Sequence, residues 1–136
     1  VIGSACILLV EDEEINRVLV RTILRRAAEP VLRDARLVEA ASLAQARECL
    51  ATTAVDVLLL DLQLPDGSGL ALVGEVRAGV PAADSVGAGP VIIMLTGDAQ
   101  PARRASALAA GCDAFLDKPY TAGALKALLL AHLMSR

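Results

Sequence analysis

The polar residues of this chain that could do chemistry are Glu11, Asp12, Asp61, Thr96 and Lys118, each standing at or just beyond the end of a short apolar run. Three carboxylates brought into one small space repel one another and raise the pKa of at least one, unless a cation sits among them. A hard divalent ion is the natural remedy. Mg²⁺ takes oxygen ligands octahedrally, usually through one or two carboxylates, with water and phosphate completing the shell. Asp12 and Asp61 could serve with a backbone carbonyl just after Asp61, and Glu11 would then act through water. Lys118 and Thr96 add an ammonium point charge and a hydroxyl donor, both suited to phosphoryl oxygens. A metal, a lysine and a hydroxyl around one carboxylate are what in-line phosphoryl transfer to that carboxylate needs, and Asp is an established covalent acceptor of phosphate.

These residues can act together only if the fold brings them to one place. Ala5–Val10, Val55–Leu60, Val91–Leu95 and the shorter Ala114–Leu116 are apolar without alternation, as suits strands buried on both faces of a parallel sheet. Ala35–Ala40 alternates and suits an edge strand. Helical signals lie between the runs. From Glu13 onward, Ile15, Val18, Leu19, Thr22 and Ile23 follow the i, i+3, i+4 pattern, with acids first and arginines later, the order the helix dipole favours. Ser42-Leu43-Ala44-Gln45 matches a capping box, opening a helix to about Ala51. Pro101 suits a first helical turn and Gly111 a left-handed cap. Thr121 can cap a last helix whose Leu125, Leu128, Leu129 and Leu133 share one face. Strand and helix thus alternate five times, which implies parallel strands, right-handed crossovers and helices on both faces. In such open α/β sheets ligands bind outside the carboxyl ends of the strands, where all five polar residues fall. Residues 79–90, rich in Gly, Ala and Pro, make a loop longer than an αβ connection usually needs.

Composition narrows the function. At 136 residues the chain is the size of one domain, and 1–136 is taken as one. With one Phe, one Tyr, no Trp and a net charge of -3, it offers neither a base-stacking platform nor a polyanion-binding surface, so direct nucleic-acid binding is not expected. Arg17, Arg21, Arg25 and Arg26 fall at helical spacing and form either a solvated face or a partner-docking face. Three separated cysteines without a C-x-x-C pair suggest reduced, packed thiols rather than zinc or disulfides. No apolar stretch approaches the roughly 20 residues that cross a bilayer, so no direct membrane insertion is expected and a cytoplasmic location is. A first residue of Val hints at a piece of a longer protein.

Each site residue also has a duller explanation. Asp12 could cap the first helix, Asp61 could accept from turn amides of Pro65-Asp66-Gly67-Ser68-Gly69, and Thr96-Gly97 and Lys118-Pro119 could be ordinary strand ends. Their joint placement on one sheet edge weighs against four separate accidents.

The chain resembles the receiver domains of two-component response regulators. The resemblance is carried by Ile7-Leu8-Leu9-Val10-Glu11-Asp12-Glu13, Leu60-Asp61-Leu62-Gln63-Leu64-Pro65-Asp66-Gly67, Met94-Leu95-Thr96-Gly97 and Gly111–Tyr120, in the family's order and spacing. It implies a three-layer (βα)5 flavodoxin-like fold with a central five-stranded parallel sheet of order 2-1-3-4-5. Asp61 is then the phosphoacceptor, attacking the phosphohistidine of a histidine kinase or histidine phosphotransfer domain. Asp12 and Asp61 would bind Mg²⁺ directly, Glu11 through water, and the Gln63 backbone carbonyl would complete the protein ligands. Lys118 would pair with Asp61 at rest and with a phosphoryl oxygen afterwards. Thr96 would hydrogen-bond the phosphoryl group and draw its loop inward, with Phe115 rotating into the vacated space. Readout to an output domain or downstream protein would use the face of the fourth helix, fifth strand and fifth helix. Gln63 and Asp98 would tune phosphoryl lifetime. The Glu-Asp-Glu-Glu-Ile-Asn-Arg start looks like receivers of hybrid sensor kinases.

Two departures stand out. Phe115 holds a position often occupied by Tyr, so a signal through a phenol hydroxyl is lost, and Glu11 replaces the commoner Asp. Two other functions compete: a receiver-like module that binds proteins without phosphorylation, and a phosphohydrolase with an aspartyl-phosphate intermediate. The first fits degenerate members that lose an acid or the lysine, and the second generally needs an acid two residues past the nucleophile, where this chain has Gln63.

Overall fold

The computed structural model describes residues 5–79, 89–97 and 100–134. The elements run β1 (Cys6–Val10), α1 (Glu14–Arg25), α2 (Pro30–Arg33), β2 (Arg36–Ala40), α3 (Leu43–Thr52), β3 (Val57–Asp61), β4 (Gln63–Leu64), β5 (Gly67–Ser68), α4 (Gly69–Arg77), β6 (Val91–Thr96), α5 (Pro101–Ala110), β7 (Ala114–Asp117) and α6 (Ala122–Leu133). Five strands form one parallel sheet in the order β2-β1-β3-β6-β7, which is 2-1-3-4-5 when the sheet strands are counted along the chain. β4 and β5 form a separate two-residue antiparallel pair.

The uniformly apolar runs become the buried strands. Every residue of β1 and β3 is buried, whereas the alternating β2 lies at the edge and is half-exposed. The pleat sorts their side chains into two cores. Ile7, Leu9, Val57, Leu59 and Leu116 enter the layer beneath α1, α2 and α6, with Val20, Leu32, Leu125 and Leu129. Leu8, Val10, Leu58, Leu60, Ile92 and Met94 enter the opposite layer, with Leu43, Leu72 and Ala107 from α3, α4 and α5. Burying a Leu or Ile side chain contributes roughly 1.5–3 kcal/mol, so an aliphatic core nearly free of aromatics suffices.

Helix ends follow the expected signals with one change of partner. The Ser42 hydroxyl accepts from the Gln45 amide at 3.2 Å, while the Gln45 side chain accepts from the Ala41 amide at 2.8 Å rather than from that of Ser42. Thr121 caps α6 by accepting from the Ala124 amide at 3.0 Å. Gly111 closes α5 at φ 117°, a conformation that favours glycine, and a Cβ there would lie 2.6 Å from the Arg77 side chain. Arg77 fills that space: its guanidinium donates to the Gly111 carbonyl at 2.7 Å, the Pro90 carbonyl at 2.9 Å and the Asp113 carboxylate at 2.6 Å.

α1 departs from expectation. Its buried residues are Val20, Ile23 and Leu24. Ile15, Val18 and Leu19 are 75%, 41% and 44% exposed, so of the expected stripe Ile23 alone is buried. The arginines split as well: Arg17 and Arg21 bridge α1 to Glu39 of β2, while Arg25 and Arg26 are exposed. The short α2 and the β4–β5 pair were not expected. Four and two residues are too few to show a period. Of the long loop, residues 80–88 lie outside the described residues.

Candidate functional site

Strand register explains how distant residues meet. β1 and β3 pair Val10 with Leu60, which brings Glu11 level with Asp61, and β3 and β6 pair Asp61 with Leu95. β6 and β7 pair Thr96 with Asp117, and the Lys118 amide donates to the Thr96 carbonyl at 2.8 Å. Alternation then assigns sides. Glu11, Asp61 and Lys118 continue the rows that enter the α1–α6 core, while Thr96 continues the row of Ile92 and Met94 on the opposite side.

The Lys118 ammonium donates to Glu11 Oε1 at 2.8 Å and to Asp61 Oδ2 at 3.2 Å. Glu11 is 1% exposed and Asp61 9%, and Asp12 is exposed above them. One carboxylate oxygen from each of Glu11, Asp12 and Asp61 lies within 4.8 Å of the others. Burial, and next the adjoining Asp61 carboxylate, push the Glu11 pKa up against the pull of Lys118. Burial by itself would depress Lys118, but its hydrogen bond to Glu11 and the charges of both acids hold it above its ordinary value. Glu11 Oε2 is buried without a hydrogen-bond partner. A buried, unpaired carboxylate oxygen beside two further acids is costly unless a cation or its water occupies the space. The donor set fits a hard, oxygen-preferring divalent ion.

The residues surround an open cleft of about 480 Å³ lined by Asp12, Asp61, Gln63, Pro65, Thr96 and Lys118 among others. α1 begins at Glu14 after an N-cap at Glu13, so Asp12 does not cap it. The amide that reaches Asp61 is that of Gln63, which donates to Oδ1 at 3.3 Å, rather than one from the Pro65–Gly69 turn, and the other oxygen faces Lys118. Asp98 lies outside the described residues. On the opposite side, Phe115 is half-buried and, with Thr96, Met94, Leu62, Ala107 and Arg104, bounds a small gap. Arg104 lies over the Phe115 ring, 5.1 Å from its centroid, and also pairs with Asp117.

Three neighbours of the site, Asn16, Asp66 and Gly69, have no role assigned from sequence, and Arg17 joins them from the arginine cluster. Asn16 donates to Glu11 Oε1 at 2.8 Å and Arg17 to the Glu11 carbonyl at 2.8 Å. The Asp66 carboxylate accepts from the Leu43 and Ala44 amides at 2.8 and 3.0 Å, tying the turn after Asp61 to the start of α3; these bonds lower its pKa. Gly69 approaches so closely that a Cβ would lie 2.4 Å from the Asp61 carbonyl. The second glycine of Pro65-Asp66-Gly67-Ser68-Gly69 was the one available signal for that approach.

A flavodoxin-like sheet with acids, a threonine and a lysine at its carboxyl edge is the architecture of a phosphorelay receiver. The chain belongs to that family: the response regulator receiver domain model matches residues 7–130. Among curated relatives, the KDP operon transcriptional regulatory protein KdpE of Escherichia coli K12 is 34% identical over 129 residues, 93% of this chain and 50% of KdpE. The aerobic respiration control sensor protein ArcB of the same organism is 32% identical over 123 residues, 90% of this chain and 14% of ArcB. The chain therefore spans half of one relative and a small part of the other. Among solved structures, the receiver domain of the sensor histidine kinase PA1611 from Pseudomonas aeruginosa PAO1 superimposes with a TM-score of 0.77 at 27% identity. The match covers 96% of this chain and 98% of that one, which has a magnesium ion coordinated in its active-site cleft. Over residues 7–130 the chain is thus a response regulator receiver domain. No helix among the described residues is long and apolar enough to cross a membrane.

Proposed function

We propose that residues 1–136 act as a single Mg²⁺-dependent phosphoacceptor unit in which Asp61 takes a phosphoryl group from the phosphohistidine of a histidine kinase or phosphotransfer domain. An Asp61 carboxylate oxygen forms the new bond to phosphorus as the phosphorus–nitrogen bond to imidazole breaks, and the leaving nitrogen keeps the electron pair and takes up a proton. The observation that supports this most directly is the Asp61 carboxylate, 3.2 Å from the Lys118 ammonium and clustered with Glu11 and Asp12. Asp12, Asp61 and the Gln63 carbonyl would hold the metal, and Glu11 a water on it. When bound, the metal neutralises charge on the transferring phosphoryl group. Lys118 balances charge on the same group, and Thr96 donates to it.

The exposed stripe of α1 would offer the donor a surface to dock on: Ile15, Val18 and Leu19 follow Asp12 in the chain and are exposed, as suits an apolar partner surface. Thr96 and Phe115 would carry the signal to the α5–β7–α6 face and so to an output domain or downstream protein, and Gln63 and Asp98 would set phosphoryl lifetime. The relatives include both a transcriptional regulatory protein, KdpE, and a sensor protein, ArcB.

Incubation with Mg²⁺ and acetyl phosphate should give a hydroxylamine-labile phosphoprotein with wild type and none with Asp61→Asn. Equal labelling of both would refute the assignment. A receiver that signals only by protein contact is not favoured, because all the acids and Lys118 are present and clustered.

A further inference from the structure

We propose that Asn16 is a positioning residue for the metal site, acting through Glu11; the inference rests on the phosphoacceptor reading above. Glutamate reaches one bond further than aspartate and has an extra rotatable bond, so at this position it needs a fixed orientation to present one chosen oxygen. The structure supplies it. Glu11 Oε1 accepts two hydrogen bonds of 2.8 Å, one from Asn16 and one from Lys118, which occupies both of its lone pairs. Oε2 is left buried and unpartnered beside Asp12 and Asp61, where a water of the metal shell would use it. The backbone of Glu11 is fixed too: its amide donates to the Ala40 carbonyl at 2.9 Å and its carbonyl accepts from Arg17 at 2.8 Å.

Of the two donors to Oε1, Lys118 is shared with Asp61, at 3.2 Å. A phosphoryl group on Asp61 would compete for that ammonium. The Asn16 amide has no such second claim within the acidic cluster, so it keeps Glu11 oriented while Lys118 turns to its new partner. It sits in the first turn of α1, on the same helix as Arg17, so one helix end holds both the side chain and the carbonyl of Glu11.

Titration calorimetry with Mg²⁺ tests this in wild type, Asn16→Ala, Glu11→Ala and the double variant, with Asn16→Leu as a similarly sized control lacking the donor. Thermal melts establish that each is folded. Loss of such an outer partner typically weakens metal affinity about 10–100-fold, so Asn16→Ala and Asn16→Leu should each weaken Mg²⁺ binding by about tenfold. In the Glu11→Ala background the same change should have almost no further effect, because the group it orients is gone. Affinity within about twofold of wild type, or the same loss repeated without Glu11, would overturn the proposal. A wild type with no saturable Mg²⁺ site would instead sink the phosphoacceptor reading, and this inference with it.

Discussion

On the α1–α6 side of the sheet, Glu11, Asp61 and Lys118 hold one another through hydrogen bonds of 2.8 and 3.2 Å in a largely buried space. On the α3–α5 side, Phe115 is half-buried against a small gap and is overlain by a guanidinium 5.1 Å from its ring centroid. The two sets differ by a single step of the pleat, yet they are held by forces of different kind. Directed, charge-assisted hydrogen bonds between buried groups fix atoms tightly, whereas a half-exposed cation–π contact is worth only about 0.5–1 kcal/mol. Under the proposed function, the side that would place the reacting carboxylate is the fixed one. The opposite side is held by contacts that can be exchanged at small cost.

The largest break in this contrast should come from Lys118→Met. Without the ammonium, Glu11 and Asp61 face each other across a buried space, and stability at neutral pH should fall by about 2–3 kcal/mol in urea denaturation. Part of that loss should return on acidification, because the burial that already raises the Glu11 pKa would then act with no opposing cation, and the folded state would bind a proton more readily. A loss that does not change with pH would mean that the carboxylates were not the strained groups.

Gly69→Ala comes next, since its Cβ would press into the Asp61 carbonyl at 2.4 Å, displacing backbone rather than a flexible side chain. A cost of about 2 kcal/mol is expected. Gly74→Ala, in the same helix with nothing within 4 Å, should instead stabilise by about 0.5–1 kcal/mol. Similar effects from the two would show that the close approach is relieved by helix movement. On the looser side, Arg104→Leu should change stability by no more than about 1 kcal/mol. It should nevertheless alter the ring signals of Phe115 in NMR spectra, and an unchanged Phe115 would mean that the guanidinium does not hold the ring.

The smallest effect concerns acid. The folded-state pKa of Asp66 is depressed by the Leu43 and Ala44 amides. Its contribution is therefore present above the ordinary carboxylate value, about 4, and is lost as pH falls through the lower folded value. Asp66→Asn should flatten that part of the acid unfolding profile, and an identical profile would mean that the two bonds from Leu43 and Ala44 contribute nothing to it.

The sheet order and the five polar strand ends could be read from the chain because runs such as Val57–Leu60 and Val91–Leu95 have no alternation, and their order along the chain carries the topology. The inward face of α1 could not. That helix carries two apolar rows, Ile15-Val18-Leu19 and Val20-Ile23-Leu24, and both satisfy a helical period. Which row is buried depends on how β1 delivers the helix over the sheet, and that is a long-range property. Asp66 is hidden for the same reason, because the amides it accepts from belong to α3, 23 and 22 residues away in sequence. Asn16 and Gly69 lie closer along the chain to Glu11 and Asp61, but across the turns that follow β1 and β3, where no helical or strand period relates a residue to its partner.

Arg77 has a mechanical consequence. Through the Gly111 and Pro90 carbonyls and Asp113, it fastens the far end of α5 to the start of β6 and the approach to β7. The other half of that helix carries Arg104 and borders the gap by Thr96 and Phe115. A rod pinned at one end turns about the pin. A pull of an ångström near Thr96 would thus become a swing of α5 about Gly111, largest where the helix meets solvent beside the cleft.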